Sequence, residues 1–316
     1  MPKSTKKTLI TLLLAVVVII LALLPHLVES SYVIYVVVLA MLFAMLTGSF
    51  DLFVGYTGPL SFCHGAFYGL GAYTSAILVM RVGLSFWLAM PITAVIVMIF
   101  AVIVGTPALK VRGHYFAVTT FFFGYFMYLV FLNTRSLTGG PMGITNIPPP
   151  NSIFGLDFTS MTASYYLILF IGLLVIGGLH LLVKSGVGRI LISIRENEDL
   201  SQAIGINTAF YKVLAFSISA GIAGMTGSLF AHFFRSLHPS TFAWMTSEMV
   251  VIMALVGGTG TLIGPIIGAG LVTYILELMR FAPELRFIIW SSMLIVILLV
   301  EPKGLMGIWS RVTGGR

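Results

Sequence analysis

Four ionisable side chains interrupt stretches that are otherwise apolar: Asp51, His64, Glu248 and Glu277. An acid or an imidazole at membrane depth is expensive unless it faces a cavity or a partner, so each is a candidate for ion pairing, proton transfer or solute contact. His64 has two readings, a proton relay in a pathway or an imidazole hydrogen-bonded between helices. Asp51 ends an apolar segment. Glu248, with Ser247 and Thr246, reads as the cap of a helix start. Glu277 lies three residues before Arg280 and reads as an intrahelical ion pair. His180 and His232 stand near segment ends and receive no role. The six histidines fall at no metal-ligand spacing with carboxylates, so no zinc or iron site is expected.

Glycine and proline mark a second kind of candidate. GYTGPLSFCHGAFYGLGAYTSAIL (55–78) and LVGGTGTLIGPIIGAGLVTYIL (255–276) each open on a Gly/Pro-rich stretch, pass a Gly-Ala step and end in Ile-Leu. Paired broken helices of this kind, with freed backbone groups facing a cavity, are common in transporters. Close packing through small residues explains many of the individual glycines. The pathway candidates are Gly58, Pro59, Ser61 and His64 in the first stretch and Gly258, Gly264 and Pro265 in the second. They would line a route for a solute.

The third candidate is charged. KSGVGRILISIRENEDLSQAIGINTAFYK (184–212) gathers basic and acidic residues in a chain that is 59% hydrophobic and only 9% charged, and it cannot lie in hydrocarbon. It reads as a loop on one membrane face. Within it, 199–204 forms a short helix with Asn197 as N-cap, Glu198 and Asp199 in the first turn and Gly205 as the stop. Two turns are marginal alone, so this helix is expected to pack on the protein's own spans or on a partner.

The elements that must carry these groups are membrane spans. With 316 residues and this apolar content, the chain is an all-α polytopic membrane protein; its long unalternating apolar runs exclude a β-barrel. Ten segments emerge: 9–28, 32–50, 61–80, 86–105, 114–133, 163–183, 212–234, 246–262, 264–281 and 287–301. The first reads as an uncleaved span, not a signal peptide, since no small-residue cleavage pattern follows it. Basic residues set the orientation, with N and C termini cytoplasmic. Lys3, Lys6, Lys7, Lys110, Arg112, Lys184, Arg189, Arg195, Lys212, Lys303, Arg311 and Arg316 then lie inside, and Arg81, Arg135, Arg235, Arg280 and Arg286 outside. The net charge of +7 therefore reflects orientation, and no nucleic-acid partner is expected. A periplasmic loop over 134–162 contains LTGGPMGITNIPPP, whose turn and proline run predict an ordered cap. The fifth span is dense in aromatics (Phe116, Phe121, Phe122, Phe123, Tyr125, Phe126, Tyr128), suited to lipid, packing or an apolar pathway.

The sequence lacks a G-x-x-x-x-G-K-[ST] loop, a nucleophile elbow and H-E-x-x-H. A membrane enzyme thus finds no catalytic constellation. If the chain moves a solute uphill, the energy comes from another subunit. A stand-alone secondary transporter, using His64 and the broken helices, remains an alternative.

The order of motifs resembles the LivM-type permease family of the high-affinity branched-chain amino-acid ABC importers. The matching stretches are GYTGPLSFCHGAFYGLGAYTSA, VRGHYFAVTTFFFG with LTGGPMGI, GVGRILISIRENEDLSQAIGINTAFYK, HPSTFAWMTSEMVVIMALVGGTGTLIGPIIGA and EPKGLMGI. The resemblance implies a single permease domain over 1–316 in the bacterial inner membrane, with a cytoplasmic coupling loop at 184–212 docked on an ATPase. It implies coupling residues Arg195, Glu196, Glu198, Asp199, Ala203 and Gly205, and no cofactor bound by this chain, ATP being hydrolysed by partner subunits. The implied partners are ATP-binding cassette subunits, a homologous second permease, a periplasmic substrate-binding protein and membrane lipid. Leucine, isoleucine and valine are the implied solutes, with urea or short amides as the alternative in the same family. Tyr125, Leu200 and Ser201 depart from the family pattern; the first bears on solute class and the others on the ATPase partner.

Overall fold

The computed structural model describes residues 16–28, 30–111, 113–153, 155–279, 292, 295 and 304–312. Among these residues the chain is built from helices: α1 (Val16–Leu27), α2 (Ser31–Thr57), α3 (His64–Met80), α4 (Phe86–Ala108), α5 (His114–Asn133), α6 (Arg135–Thr138), α7 (Met161–Lys184), α8 (Gly186–Glu196), α9 (Glu198–Ala203), α10 (Thr208–Phe234), α11 (Trp244–Gly257), α12 (Ile263–Leu278) and α13 (Gly304–Val312). Five of them, α2, α4, α5, α7 and α10, are long and apolar enough to cross a membrane. Shorter apolar helices α1, α11 and α12 add to them. Apart from positions 292 and 295, the expected segment at 287–301 lies outside the described residues, as do Arg280 and the basic residues before position 16.

The bundle is organised around α10, which packs chiefly on α3, α4 and α2. Its buried face is small, with Ser217, Ser219, Ala220, Gly221, Ala223, Gly224, Gly227 and Ser228. In hydrocarbon, where apolar burial gives no advantage over lipid, close approach and interhelical hydrogen bonds must supply the attraction. Both are present. Gly71 of α3 lies against the Gly224 backbone, and Gly227 lies against the backbone of Tyr68 and Ala72. Ser75 Oγ is 2.7 Å from Ser228 Oγ and 3.1 Å from His232 Nε2, while His232 Nδ1 is 2.7 Å from the Pro148 carbonyl. A carbonyl only accepts, so Nδ1 carries the proton, Nε2 accepts from Ser75, and Ser228 donates to Ser75. His232, which sequence left without a role, thus ties α10 and α3 to the loop after α5.

That loop is the ordered cap anticipated from its glycines and prolines. After α6, a 3-10 turn (Gly140–Met142) leads into strand β1 (Ile144–Thr145), which pairs antiparallel with β2 (Ser236–Leu237) beyond α10. Asn151 accepts from Phe86 N through Oδ1 and from Trp87 Nε1 through its carbonyl, both at 2.9 Å. Arg81 donates to the carbonyls of Ser136 and Leu137, and Arg235 to that of Thr159. Near its end, the N–H and hydroxyl of Thr159 hold the exposed Asp157 carboxyl below the usual range. The cap closes one end of the bundle, and the charged segment occupies the other.

Three boundaries move. α2 continues to Thr57, two turns beyond the expected end at 50, so Asp51 is an interior residue of the helix. α3 opens only at His64, leaving 58–63 non-helical. The segment 184–212 is not a loop but the end of α7, then α8, α9 and the first turns of α10. Charge alone had marked it as solvated, yet Val187, Leu191 and Ile194 repeat at helical spacing and the last two are buried.

A methyl on Gly227 would meet backbone that cannot retreat, whereas Gly270 on α12 faces open space. Gly227→Ala should therefore cost about 1–3 kcal/mol, read as a lowered melting temperature in detergent, with Gly270→Ala unchanged or slightly more stable.

Candidate functional site

Both breaks foreseen around glycine are present, and one buried acid braces the second. Between α11 and α12 the chain unwinds over 258–262. Its amides cannot be left bare in an apolar surround, where an unsatisfied polar group costs several kcal/mol. Asp51, 0% exposed, accepts from Gly260 N at 2.7 Å through Oδ1 and from Leu262 N at 3.0 Å through Oδ2. Leu262 is held there at φ +58°, a left-handed conformation costing about 1–3 kcal/mol that persists only when its surroundings enforce it.

One turn after Asp51, the Gly55 carbonyl accepts from Arg195 Nη1 at 2.7 Å. Arg195 also pairs with Glu196 at 2.9 Å. Gly260, at φ +75°, lies directly beneath the guanidinium, and a Cβ there would strike it. Thus the end of α2, the break after α11 and the end of α8 meet in one knot. Beside it lies a cavity of about 320 Å³ lined by Phe50, Val54, Gly55, Gly58, Leu60, Arg195, Val251, Leu255 and Thr259. The lining is largely aliphatic and aromatic with a polar edge.

The first break, 58–63, leads from that knot back into the bundle. Phe62 N donates to Thr120 Oγ1 on α5 at 3.0 Å, and Ser61 Oγ lies 3.1 Å from Cys63 Sγ. Here α3 begins, and α11 begins beside it: Gly65 N donates to Ser247 Oγ at 2.9 Å. Glu248 does not cap α11, which starts at Trp244 after Ala243; Ser247 is committed to α3, and Thr246 Oγ1 donates to the Thr241 carbonyl.

Of the pathway candidates, Gly58 lines the cavity and Pro59 follows it. Ser61 and His64 are buried behind it. His64 Nε2 is 2.7 Å from Ser219 Oγ, and Ser219 donates to the Ser49 carbonyl. The single serine proton is thereby spent, so Nε2 donates and Nδ1 is left without a partner among the described residues. The imidazole joins α3, α10 and α2, as the interhelical reading has it. Gly258 ends α11 at φ +103°, while Gly264 and Pro265 sit in the first turn of α12, where Gly264 packs against Gly257. Glu277 accepts from Tyr32 Oη at 2.7 Å, joining α12 to the start of α2.

The charged segment forms a helical hairpin. Asn197 Oδ1 accepts from Leu200 N at 2.9 Å, capping α9, and Gly205 at φ +89° stops it. Glu198 opens the helix and meets Lys212 Nζ at 2.5 Å, which explains how a lysine can be buried on α10. Gln202 Nε2 donates to Thr208 Oγ1 at 2.7 Å. With α9 fixed to α8 and α10 on one side, Leu200 (61% exposed) and Ile204 (70%) project on the other. Sequence missed α8 and the role of Asp51. The helical spacing of Val187, Leu191 and Ile194 could have revealed the former. Asp51's partners are backbone amides, which no side-chain pattern announces.

A family model described as branched-chain amino acid transport system / permease component matches residues 32–300. The high-affinity branched-chain amino acid transport system permease protein LivM of Salmonella typhimurium is 30% identical over 291 residues, covering 85% of this chain and 68% of that protein. The corresponding LivH of Escherichia coli K12 is 25% identical over 291 residues, 86% of this chain and 93% of LivH. The autoinducer 2 import system permease protein LsrC of Salmonella paratyphi B is 26% identical over 152 residues, 46% of this chain and 41% of LsrC. No solved structure matches.

Replacing Asp51 by alanine strands two buried amides and should lower stability by about 1–3 kcal/mol for each. Asp51→Asn retains one carbonyl acceptor and should lose less. Thermal unfolding of both variants checks the order; equal or absent shifts would show that the amides find other partners.

Proposed function

Because this chain belongs to the family of permease components of branched-chain amino acid transport systems, we propose that it is one half of a permease pair passing leucine, isoleucine and valine to the cytoplasm. It is a multi-pass protein of the bacterial inner membrane. In this reading ten spans leave both termini in the cytoplasm, the 134–162 segment caps the periplasmic side, and α8 and α9 face the cytoplasm. A homologous second permease completes the pore, a periplasmic binding protein delivers the solute, and ATP-binding cassette subunits hydrolyse the ATP.

One observation carries the coupling assignment: α9 is rigidly mounted yet presents Leu200 and Ile204 outward. Exposed apolar side chains on a braced helix with acids at its start suit insertion into a cleft of a soluble subunit. Arg195, Glu196, Glu198, Asp199, Ala203 and Gly205 then serve in two ways. Asp199 and Ala203 lie on the docking helix, whereas Arg195, Glu196, Glu198 and Gly205 fix its root and direction. Arg195 reaches from that root to Gly55 beside the second break, so displacement of α9 has a short physical route to the cavity. ATP-driven closure of the nucleotide-binding subunits would bias the permease between two states through this contact.

The cavity lining favours a small aliphatic solute over urea or a short amide. Phe50, Val54, Leu60, Val251 and Leu255 offer no array of hydrogen bonds for a compact polar molecule. Gly58 and the residues that follow it form the moving edge of that cavity.

Leu200→Glu should leave the exposed helix folded while spoiling its apolar tip. Uptake of leucine by the assembled system should fall at least about tenfold, equivalent to 1.4 kcal/mol, with ATPase subunits lost from pull-downs. Gly205→Pro, which cannot adopt φ +89°, should do the same. Normal uptake at normal abundance would remove the coupling assignment.

A further inference from the structure

Glu248 stands at a depth where a carboxylate needs a partner, and it has none among the described residues. One position and two contacts fix the depth. Ser219 lies near the middle of the 27-residue α10. His64 Nε2 meets Ser219 Oγ at 2.7 Å, and the next residue, Gly65, donates to Ser247 Oγ at 2.9 Å. Glu248 follows Ser247, so it too lies about midway through the bundle. Its side chain is half-buried, and neither a hydrogen bond nor an ion pair joins it to a described residue. Such a group must face water, a cationic ligand or a charged neighbour, because lipid offers it nothing.

Its position on α11 discriminates among these. Residues 248, 251 and 255 share one stripe of a helix, and Val251 and Leu255 line the cavity beside Arg195. Trp244, one turn before Glu248, is exposed on the same side and touches Phe121 of α5. The acid is therefore continuous with the cavity through its own helix. At the same depth α3 and α11 both begin, and their first turns present the positive ends of two helix dipoles. A negative side chain next to two positive helix starts, on a helix stripe that leads through Val251 and Leu255 to an aliphatic cavity, is complementary to a zwitterion with an apolar tail.

We propose that Glu248 lines the solute path and receives the ammonium group of the transported amino acid midway across the membrane. The carboxylate of the solute turns to the starts of α3 and α11, and its side chain enters the aliphatic stripe toward the cavity. This rests on the reading of the chain as an importer permease. The site makes no demand for tight binding: a single charge contact steers the solute and lets it leave.

The test uses the full transporter in proteoliposomes, with its second permease, ATPase subunits and binding protein. Glu248→Gln should lower leucine uptake at least tenfold while the permease pair still copurifies, and Glu248→Asp should recover part of it. In a Cys63→Ala background, Glu248→Cys should react with a membrane-impermeant cationic thiosulfonate, and leucine should slow the reaction. Normal uptake by Glu248→Gln would overturn the proposal. So would an unreactive or unprotected cysteine, which would place the position against lipid or in a sealed contact. Dissociation of the second permease by Glu248→Gln would show an ion pair between chains and overturn it as well. If Leu200→Glu leaves uptake normal, the coupling reading fails by itself, since labelling and leucine protection at position 248 are read without ATP.

Discussion

A chain that unwinds inside a membrane must find partners for every amide and carbonyl it releases, and this requirement governs the arrangement around both breaks. Around both breaks the protein supplies such partners from neighbouring helices. Asp51 serves Gly260 and Leu262, Thr120 serves Phe62, and Ser247 serves Gly65. Each donor–acceptor pair joins segments distant in sequence. These bonds tie the unwound stretches to neighbouring helices at defined points, and irregular backbone borders the cavity there.

The same contacts explain why polar residues are few yet buried. Asp51, His64, Ser219 and His232 are all nearly inaccessible, and each is occupied in joining helices. Burying an acid is costly in itself, and two backbone donors, with the nearby charge of Arg195, offset part of that cost. Around them, Gly71, Gly224 and Gly227 bring α3 and α10 close enough for Ser75 and Ser228 to meet. Close approach and hydrogen bonding thus reinforce each other, as expected where lipid removes the hydrophobic incentive for helices to associate.

Much of this was legible in the sequence where one residue type has one physical meaning. Asn197 and Gly205 bound a short helix because a capping amide and a left-handed glycine have few other uses in such a run. Gly139 to Pro141 and the prolines at 148–150 announced an ordered cap, though not the two-stranded pairing with 236–237 that anchors it. Boundaries were less legible where charge and burial conflict. Lys212 reads as solvated, but Glu198 neutralises it from fourteen residues away, so α10 begins earlier than hydropathy suggests. Asp51 likewise reads as the end of a span, but backbone amides of residues 260 and 262 answer its carboxylate, so it lies inside α2. The pathway candidates divide on the same ground: Gly58 reaches the cavity, whereas the hydrogen bonds of His64 turn it inward to Ser219.

The two short helices that begin beside each other give the arrangement its direction. α3 runs from this meeting point toward the cap, where Arg81 at its end holds the loop after α5. α11 runs the other way, ending at Gly258 beside the knot of Asp51, Gly55 and Arg195. Each is completed by an approach that is not α-helical, the unwound 58–63 for α3 and the 3-10 turn Pro239–Phe242 for α11, entering from opposite ends of the bundle. Their starts are joined by one hydrogen bond, from Gly65 to Ser247, so that α3 forms an upper half and α11 a lower one. On the importer reading, this division locates the change of access. A shift at α9 reaches the lower half through Arg195, while the upper half stays tied to the cap through Ser75, His232 and Pro148. The lower half can then move against a fixed upper half, and relative motion of that kind is what opening one side at a time requires.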